Sequence, residues 1–500
     1  MKELVQYKLD GFSCQGELNL EERSFCLNMH QPVPNISYIP RKITCFAQNH
    51  IYVLYDNEFS SKRVLPAFIV KDYEYNSYSC FEIDLDGLQD FLSVSECYDG
   101  HVFCENVEIG GVKYSCECTN SSDYTTIRVK TAGQWEPLEK IEGIVQKFIQ
   151  FFSLISYKKI TCASVRIIDC DQKYEIYTLI QKKYTGDKNW CNSLLHAGLI
   201  CSENLWKEVL RNFFEKEDGK EEIFQKCLTG ILAQVESDLF WEYKIINICG
   251  IWDQYSRLVE MASLKDKTKY KKPPLLTRFE KIYSGLDSRI RAVFPAAKKD
   301  LVLLKECRDN TAHGENFSLP QKIFEEYYQA FRRMRLMTVI FVYSELGIPI
   351  VDIYKGIRHC FHSCVLNANL DKFLLSSIIG DTPLFNVDSR TWSFLLQPRV
   401  FPCLKYDVYD GLLKIDIDTT MSAFDRSLKG KEKVYHSYIK QANREYQHPI
   451  MLSSIFIQYK ECHQELCGAF VLNYNDLPMD LRGVCEYQRC NMKPIRAAEE

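Results

Sequence analysis

The apolar residues of this 500-residue chain change period near Cys201, and that change narrows the folds open to it. Ahead of Cys201, β-branched and aromatic residues collect in short runs such as "ITCFAQNHIYVLY", "ENVEIGGVKYSCECT" and "TTIRVKT", separated by polar turns. Such runs read as strands, because branched and aromatic side chains suit a pleated, half-covered surface. Within the second run, Gly110-Gly111 suits a tight hairpin. One stretch breaks the pattern: in "PLEKIEGIVQKFIQFFSLIS" the apolar residues Ile141, Ile144, Val145, Phe148, Ile149 and Phe152 fall at helical spacing. A helix is therefore expected on or beside a β-rich domain covering residues 1–195.

After Cys201 straight-chain and aromatic residues dominate long stretches with little turn chemistry, including "SENLWKEVLRNFFEKEDG" and "LPQKIFEEYYQAFRRMRLMTVIFVYSELG". These predict an all-helical bundle over residues 200–350, interrupted by the breaker "KDKTKYKKPPLL". Gly314 suits a helix end, Ser318 with Gln321 forms a capping-box pattern, and Gly347 closes the long helix that follows. Within that helix, Arg332–Arg335 ("RRMR") reads as an outer face. Residues 351–500 are mixed, with helix-like "NLDKFLLSSIIG" and "AFDRSLKGKEKVYHSYIKQANREY" and strand-like "LLKIDIDTT". The expected class is α+β, with a β-rich front, a central all-α bundle and a mixed α/β C-terminal region.

Composition sets outer bounds. A content of 46% hydrophobic residues supplies more than one core, while 62 basic residues against 66 acidic ones leave no chain-wide attraction to nucleic acid or anionic membrane. "MKELVQYKLDG" lacks the apolar stretch of a signal peptide, and "LMTVIFVY" is too short to span a bilayer. The expectation is a soluble cytoplasmic protein without a membrane partner, its 22 cysteines mostly reduced, buried thiols.

Chemistry concentrates in "KECRDNTAHGEN", where Arg308 stands five positions ahead of His313 at an expected helix end. On a helix the two side chains lie about 140° apart and ~7.5 Å along the axis, so they share no simple face. The long arginine stem can still bring its guanidinium back toward the helix end. Exposed carbonyls there favour an imidazolium, and a guanidinium grips phosphate through paired hydrogen bonds. Together they suit cleavage of RNA, whose 2′-hydroxyl attacks the adjacent phosphorus once protons are moved and charge is stabilised, with no cofactor required. The competing interpretation is that both side chains merely satisfy a helix end.

The segment resembles the HEPN ribonucleases, and the bundle over roughly residues 200–350 resembles their Apea-like branch. Arg308, the polar Asp309 and His313 carry the match, with Asn310 beside them. The resemblance implies an all-helical catalytic fold, catalysis by Arg308 and His313 with support from Asp309 and Asn310, and RNA as substrate, whether tRNA or another cellular RNA. It also implies a homodimer or higher homo-oligomer bringing two motifs together. The front half looks like the domain that accompanies such bundles in phage-defence proteins, which implies a toxic effector restrained until a phage-derived trigger arrives. A non-catalytic dimerisation or RNA-binding protein is the alternative.

Three further clusters stand out. Residues 261–300 hold eleven lysines and arginines against four acids, with Lys265, Lys267, Lys269, Lys271 and Lys272 as candidate RNA contacts or as a solvated loop. Cys462, Cys467, Cys485 and Cys490 form two Cys-x4-Cys pairs that could hold a structural zinc or be unconnected thiols. In "RHCFHSC", Cys360 and Cys364 at helical spacing fit a core better than a metal. The acidic "DLDGLQD" lacks calcium-loop spacing and reads as a turn leading into a helix. No Gly-rich phosphate loop, Gly-x-Ser-x-Gly elbow or His-Glu-x-x-His helix is present.

Overall fold

The computed structural model describes residues 2–9, 12–21, 25–30, 40–60, 63–92, 100–178, 194–195, 205–214, 241–262, 264, 272–312, 321–358, 360, 365, 368, 370–380, 384–396, 402–422, 450–452, 455–466 and 469–478. The chain divides into two compact units, Met1–Asn369 and Leu370–Glu500. Both helices and a large antiparallel sheet are present, so the α+β class holds.

The first unit begins with strands β1 (Lys2–Leu9), β2 (Phe12–Asn19), β3 (Cys26–Met29), β4 (Lys42–Phe46), β5 (Ile51–Tyr55), β6 (Glu58–Ser60), β7 (Arg63–Leu65) and β8 (Phe68–Lys71). It continues with β9 (Ser77–Tyr78), β10 (Cys80–Asp86), β11 (His101–Ile109), β12 (Val112–Asn120), β13 (Thr125–Thr131), β14 (Glu136–Pro137), β15 (Thr161–Asp169) and β16 (Gln172–Thr178). Fourteen of them form one sheet in the order β11-β12-β13-β10-β15-β16-β8-β5-β4-β1-β2-β3-β7-β6, while β14 pairs with β9. Gly110 and Gly111 have φ of 59° and 79°, the left-handed values a two-residue hairpin requires between Ile109 and Val112. The turn expected in "DLDGLQD" leads into helix α1 (Gln89–Leu92).

Alternation in β10 sends Phe81, Ile83 and Leu85 to one face and Glu82 and Asp84 to the other. Across the strands the register aligns Glu117, Arg128, Glu82, Arg166 and Glu175 in one row of alternating sign. Glu82 accepts from Arg128 Nη2 at 2.7 Å and Lys173 Nζ at 2.6 Å, and Asp84 accepts from Ser164 Oγ at 2.6 Å and Thr126 Oγ1 at 2.9 Å. The covering cations explain how two carboxylates stay buried without isolated charge.

Helix α2 (Glu139–Ser156) buries every apolar position expected of it, and also Phe151, Leu154 and Ile155. Every residue of its last turn and a half, Phe151 to Ser156, is buried, so it needs cover on all sides. Helix α3 (Leu205–Phe214) supplies part of it: Phe151 meets Phe213 at 5.1 Å and Phe148 meets Phe214 at 5.0 Å between ring centres. The bundle supplies more. It comprises α4 (Trp241–Ala262), α5 (Leu275–Gly285), α6 (Ser288–Val293), α7 (Ala297–Ala312), α8 (Gln321–Glu345) and α9 (Ile350–Arg358). Tyr343 of α8 donates to the Leu154 carbonyl at 2.7 Å, and Gly347, with φ of 89°, follows the end of α8 as expected.

"RRMR" is not an outer face. Arg333 reaches Asp300 of α7 with two hydrogen bonds of 2.7 and 2.6 Å, and Arg335 donates to Tyr157 Oη at 2.6 Å. Arg332 lies 3.8 Å above the Tyr328 ring. Successive helical residues point about 100° apart, and long arginine stems let the charged ends reach partners on neighbouring elements. At the bundle centre Trp252 donates to Thr338 Oγ1 at 3.0 Å and packs edge-on against Phe279.

The second unit, described by itself, pairs β17 (Leu384–Asn386) in parallel with β21 (Ile455–Tyr459), which pairs with β22 (Cys462–Leu466). A four-stranded sheet has the order β19 (Leu412–Ile415), β18 (Cys403–Asp407), β23 (Ala469–Val471), β20 (Ile450–Leu452). Helix α10 (Lys372–Ile379) starts at an Asp371 cap and ends at Gly380, and α11 (Ser389–Leu395) starts at an Asp388 cap. The "LLKIDIDTT" segment is a strand only to Ile415, and all of "AFDRSLKGKEKVYHSYIKQANREY" lies outside the described residues.

The side chain of Asp300 is only 3% exposed, so Arg333→Ala strands a carboxylate inside the α7–α8 contact. Allowing for the partly exposed guanidinium, the loss should be about 2–3 kcal/mol. Urea unfolding of the variant against the parent measures it, and an unchanged midpoint would refute the claim.

Candidate functional site

Arg308 stands on α7, whose described residues run to Ala312, and its side chain is 28% exposed. Neighbouring turns of α7 bury Leu301, Leu304 and Cys307, which leaves Lys305, Arg308 and Asp309 on the partly open side. Arg308 donates from Nε at 3.0 Å and Nη2 at 2.7 Å to one oxygen of Asp309, and Lys305 Nζ donates to the other at 2.6 Å. Burial pushes the Asp309 carboxyl up, but the hydrogen bonds and charges of Lys305 and Arg308 outweigh it and hold it below the usual range. Behind them, burial pushes the Cys249 thiol up to about 12, which keeps it protonated and inert as a nucleophile.

The sequence picked out Arg308, Asp309 and Asn310, and all three fall on this turn, with Asn310 partly buried. It missed Lys305. The signal was available: Lys305 precedes Arg308 by three residues and Asp309 by four, the two spacings that put helical side chains together. His313, Gly314 and Ser318 lie outside the described residues.

Of the basic candidates, Lys265, Lys267, Lys269 and Lys271 also lie outside the described residues. Lys272 is described and is tied to Asp253 at 3.0 Å. The same carboxylate holds the fully buried guanidinium of Arg278, which also donates to Ser256 Oγ at 2.8 Å and the Pro273 carbonyl at 2.9 Å. Lys281, Arg289 and Lys298 pair with Glu260, Asp287 and Glu280. Much of the positive charge read from residues 261–300 is therefore balanced locally, by acids that the linear count could not assign to partners.

Cys462 opens β22 as an exposed free thiol, while Cys467, Cys485 and Cys490 lie outside the described residues. Cys360 is buried, and the rest of the "RHCFHSC" candidates, His359, His362 and Cys364, are likewise outside. Among the described residues no group of three His, Cys, Asp or Glu side chains is arranged to hold a metal, and no helix is long and apolar enough to cross a membrane. No family model, curated protein or solved structure matches the chain.

Asp253 and Asp309 set an acid limit on the bundle. For Asp253, burial raises the carboxyl, and the Arg278 and Lys272 hydrogen bonds and charges more than reverse it. A depressed folded-state value means the unfolded chain takes up protons first as pH falls. The stabilisation is thus present above about pH 4 and is lost as pH drops through the folded value. Melting temperature should be level from about pH 7 to 5 and decline below about pH 4. Asp253→Asn should melt lower at neutral pH and show a shallower acid decline; an equally steep decline would remove Asp253 from the account.

Proposed function

We propose that this chain is a metal-independent RNA endonuclease of the HEPN type, acting as an antiviral toxic effector. The observation that carries the reading is the place of Arg308: a partly exposed guanidinium on helix α7, five positions ahead of His313 in the sequence, with the Asp309 carboxylate and the Lys305 ammonium gathered beside it. A helix end stabilises a protonated imidazole, and a guanidinium nearby stabilises a phosphate. In the proposed reaction His313 accepts the 2′-hydroxyl proton, the 2′-oxygen bonds to phosphorus, and the bond to the 5′-oxygen breaks. A second histidine from another copy of the chain delivers the proton that the departing 5′-oxygen takes. Arg308 holds the non-bridging oxygens as negative charge grows on them. The β-rich front and the residues after 350 sense a phage-derived trigger or restrain the bundle in this reading.

One observation favours the non-catalytic alternative, a dimerising or RNA-binding HEPN protein. Arg308 is already engaged by Asp309, as a purely structural helix end would be. The two readings separate on activity. With purified protein, cellular RNA and excess chelator, the parent should release fragments ending in 2′,3′-cyclic phosphate. Arg308→Ala and His313→Ala should each lower cleavage at least about a hundredfold while melting like the parent. Strict dependence on magnesium, or full activity in both variants, refutes the ribonuclease reading.

One copy supplies a single arginine and a single histidine, whereas the reaction needs a proton removed and another given. Light scattering should therefore return the mass of at least a dimer, built on a two-fold contact of the bundle. A monomer that cleaves at the full rate would contradict it.

A further inference from the structure

Lys305 has no part in the Arg–His motif, yet the structure ties it to Arg308 through one shared anion. Asp309 Oδ1 takes both Arg308 bonds, at 3.0 and 2.7 Å, and Asp309 Oδ2 takes the Lys305 ammonium at 2.6 Å. A phosphodiester offers the same element, two anionic oxygens on one atom at nearly the spacing of a carboxylate pair, and guanidinium and ammonium groups bind both. The three side chains are 37%, 28% and 36% exposed for Lys305, Arg308 and Asp309, so an incoming anion can reach both cations and the carboxylate can swing outward into water.

We infer that Lys305 and Arg308 form a two-cation clamp for an RNA phosphate, and that the Asp309 carboxylate is its resting occupant, displaced when RNA binds. The inference rests on the ribonuclease reading and extends it by a phosphate-binding residue and a competitor built into the helix. The chemistry favours exchange over addition. Adding a phosphate beside Asp309 would set two anions against each other, whereas exchange leaves each cation with one partner throughout. Charge balance follows: the linked side chains are two cations and one carboxylate at rest, and the same cations surround one phosphodiester charge when loaded. Lys305 fits this role better than a fixed prop, because an exposed lysine–carboxylate pair four residues apart contributes little stability.

The test measures binding of a fluorescein-labelled single-stranded RNA oligonucleotide to full-length protein carrying His313→Ala, so that cleavage does not interfere. Adding Lys305→Gln should weaken binding about tenfold and reduce the slope of log Kd against log salt by about one, the signature of a lost phosphate contact. Adding Asp309→Asn should tighten binding several-fold, since the competitor loses its charge. Arg308→Ala, measured alongside, separates the two levels of argument. If it leaves binding unchanged, the phosphate role of Arg308 and the clamp fall together. If it weakens binding while Lys305→Gln matches the parent in affinity and salt slope, the clamp alone is overturned. Weaker binding by Asp309→Asn would also overturn the clamp, because Asp309 would then orient Arg308 rather than compete with RNA. Thermal melts of all variants complete the set: a Lys305→Gln that melts lower but keeps the parent's salt slope marks a structural prop and refutes the proposal.

Discussion

The second half of α2 is the constraint around which the first unit is arranged. Every residue from Phe151 to Ser156 is buried, and six consecutive helical positions go right round the axis, so no single partner surface can remove them all from water. The aromatic side of α3 covers one side, and the Tyr343 hydroxyl satisfies the Leu154 carbonyl at the helix end. Burying this helix end on all sides thus joins the sheet and the bundle in one compact unit, although the sequence changes character between them.

Order passes from there to the candidate site through pairs of unlike character. Tyr343 and Arg335 fix α8 to the end of α2, Arg333 fixes Asp300 and with it α7, and α7 carries Arg308 two turns further along. The Arg333–Asp300 pair is directional and its carboxylate is buried, which sets the register of α7 along α8. Apolar packing alone leaves such sliding only weakly opposed. Arg278 does the same for the start of α5, where one buried guanidinium gathers Asp253, Ser256 and the Pro273 carbonyl.

The electrostatics of the unit follow one rule. Buried carboxylates such as Glu82, Asp84 and Asp300 sit under arginine and lysine ends, whereas the turn of Lys305, Arg308 and Asp309 carries the same kind of pairing in a partly open setting. Water access changes what such a pairing can do. A shielded pair resists exchange because either partner alone would be a stranded charge, while a half-exposed one can trade its anion at little cost.

Much of the architecture was legible in the sequence, because period two, period 3.6 and glycine punctuation are local signals. The strands before residue 190, the α2 helix with each of its apolar positions, the Gly110-Gly111 hairpin and the end of α8 at Gly347 all follow from neighbours along the chain. The place of Arg308 on a helix is of the same kind. What the sequence could not give were the partners of its charges. Arg333 and Arg335 looked like an outer face, and the basic stretch of residues 261–300 read equally as a phosphate-binding surface or a solvated loop, until Asp300, Tyr157, Asp253 and Glu280 were brought by the fold to Arg333, Arg335, Lys272 and Lys298. The physical reason is reach. Backbone periodicity is fixed by hydrogen bonds within a few residues, whereas an ion pair depends on which distant segment the packed core delivers within about 3 Å.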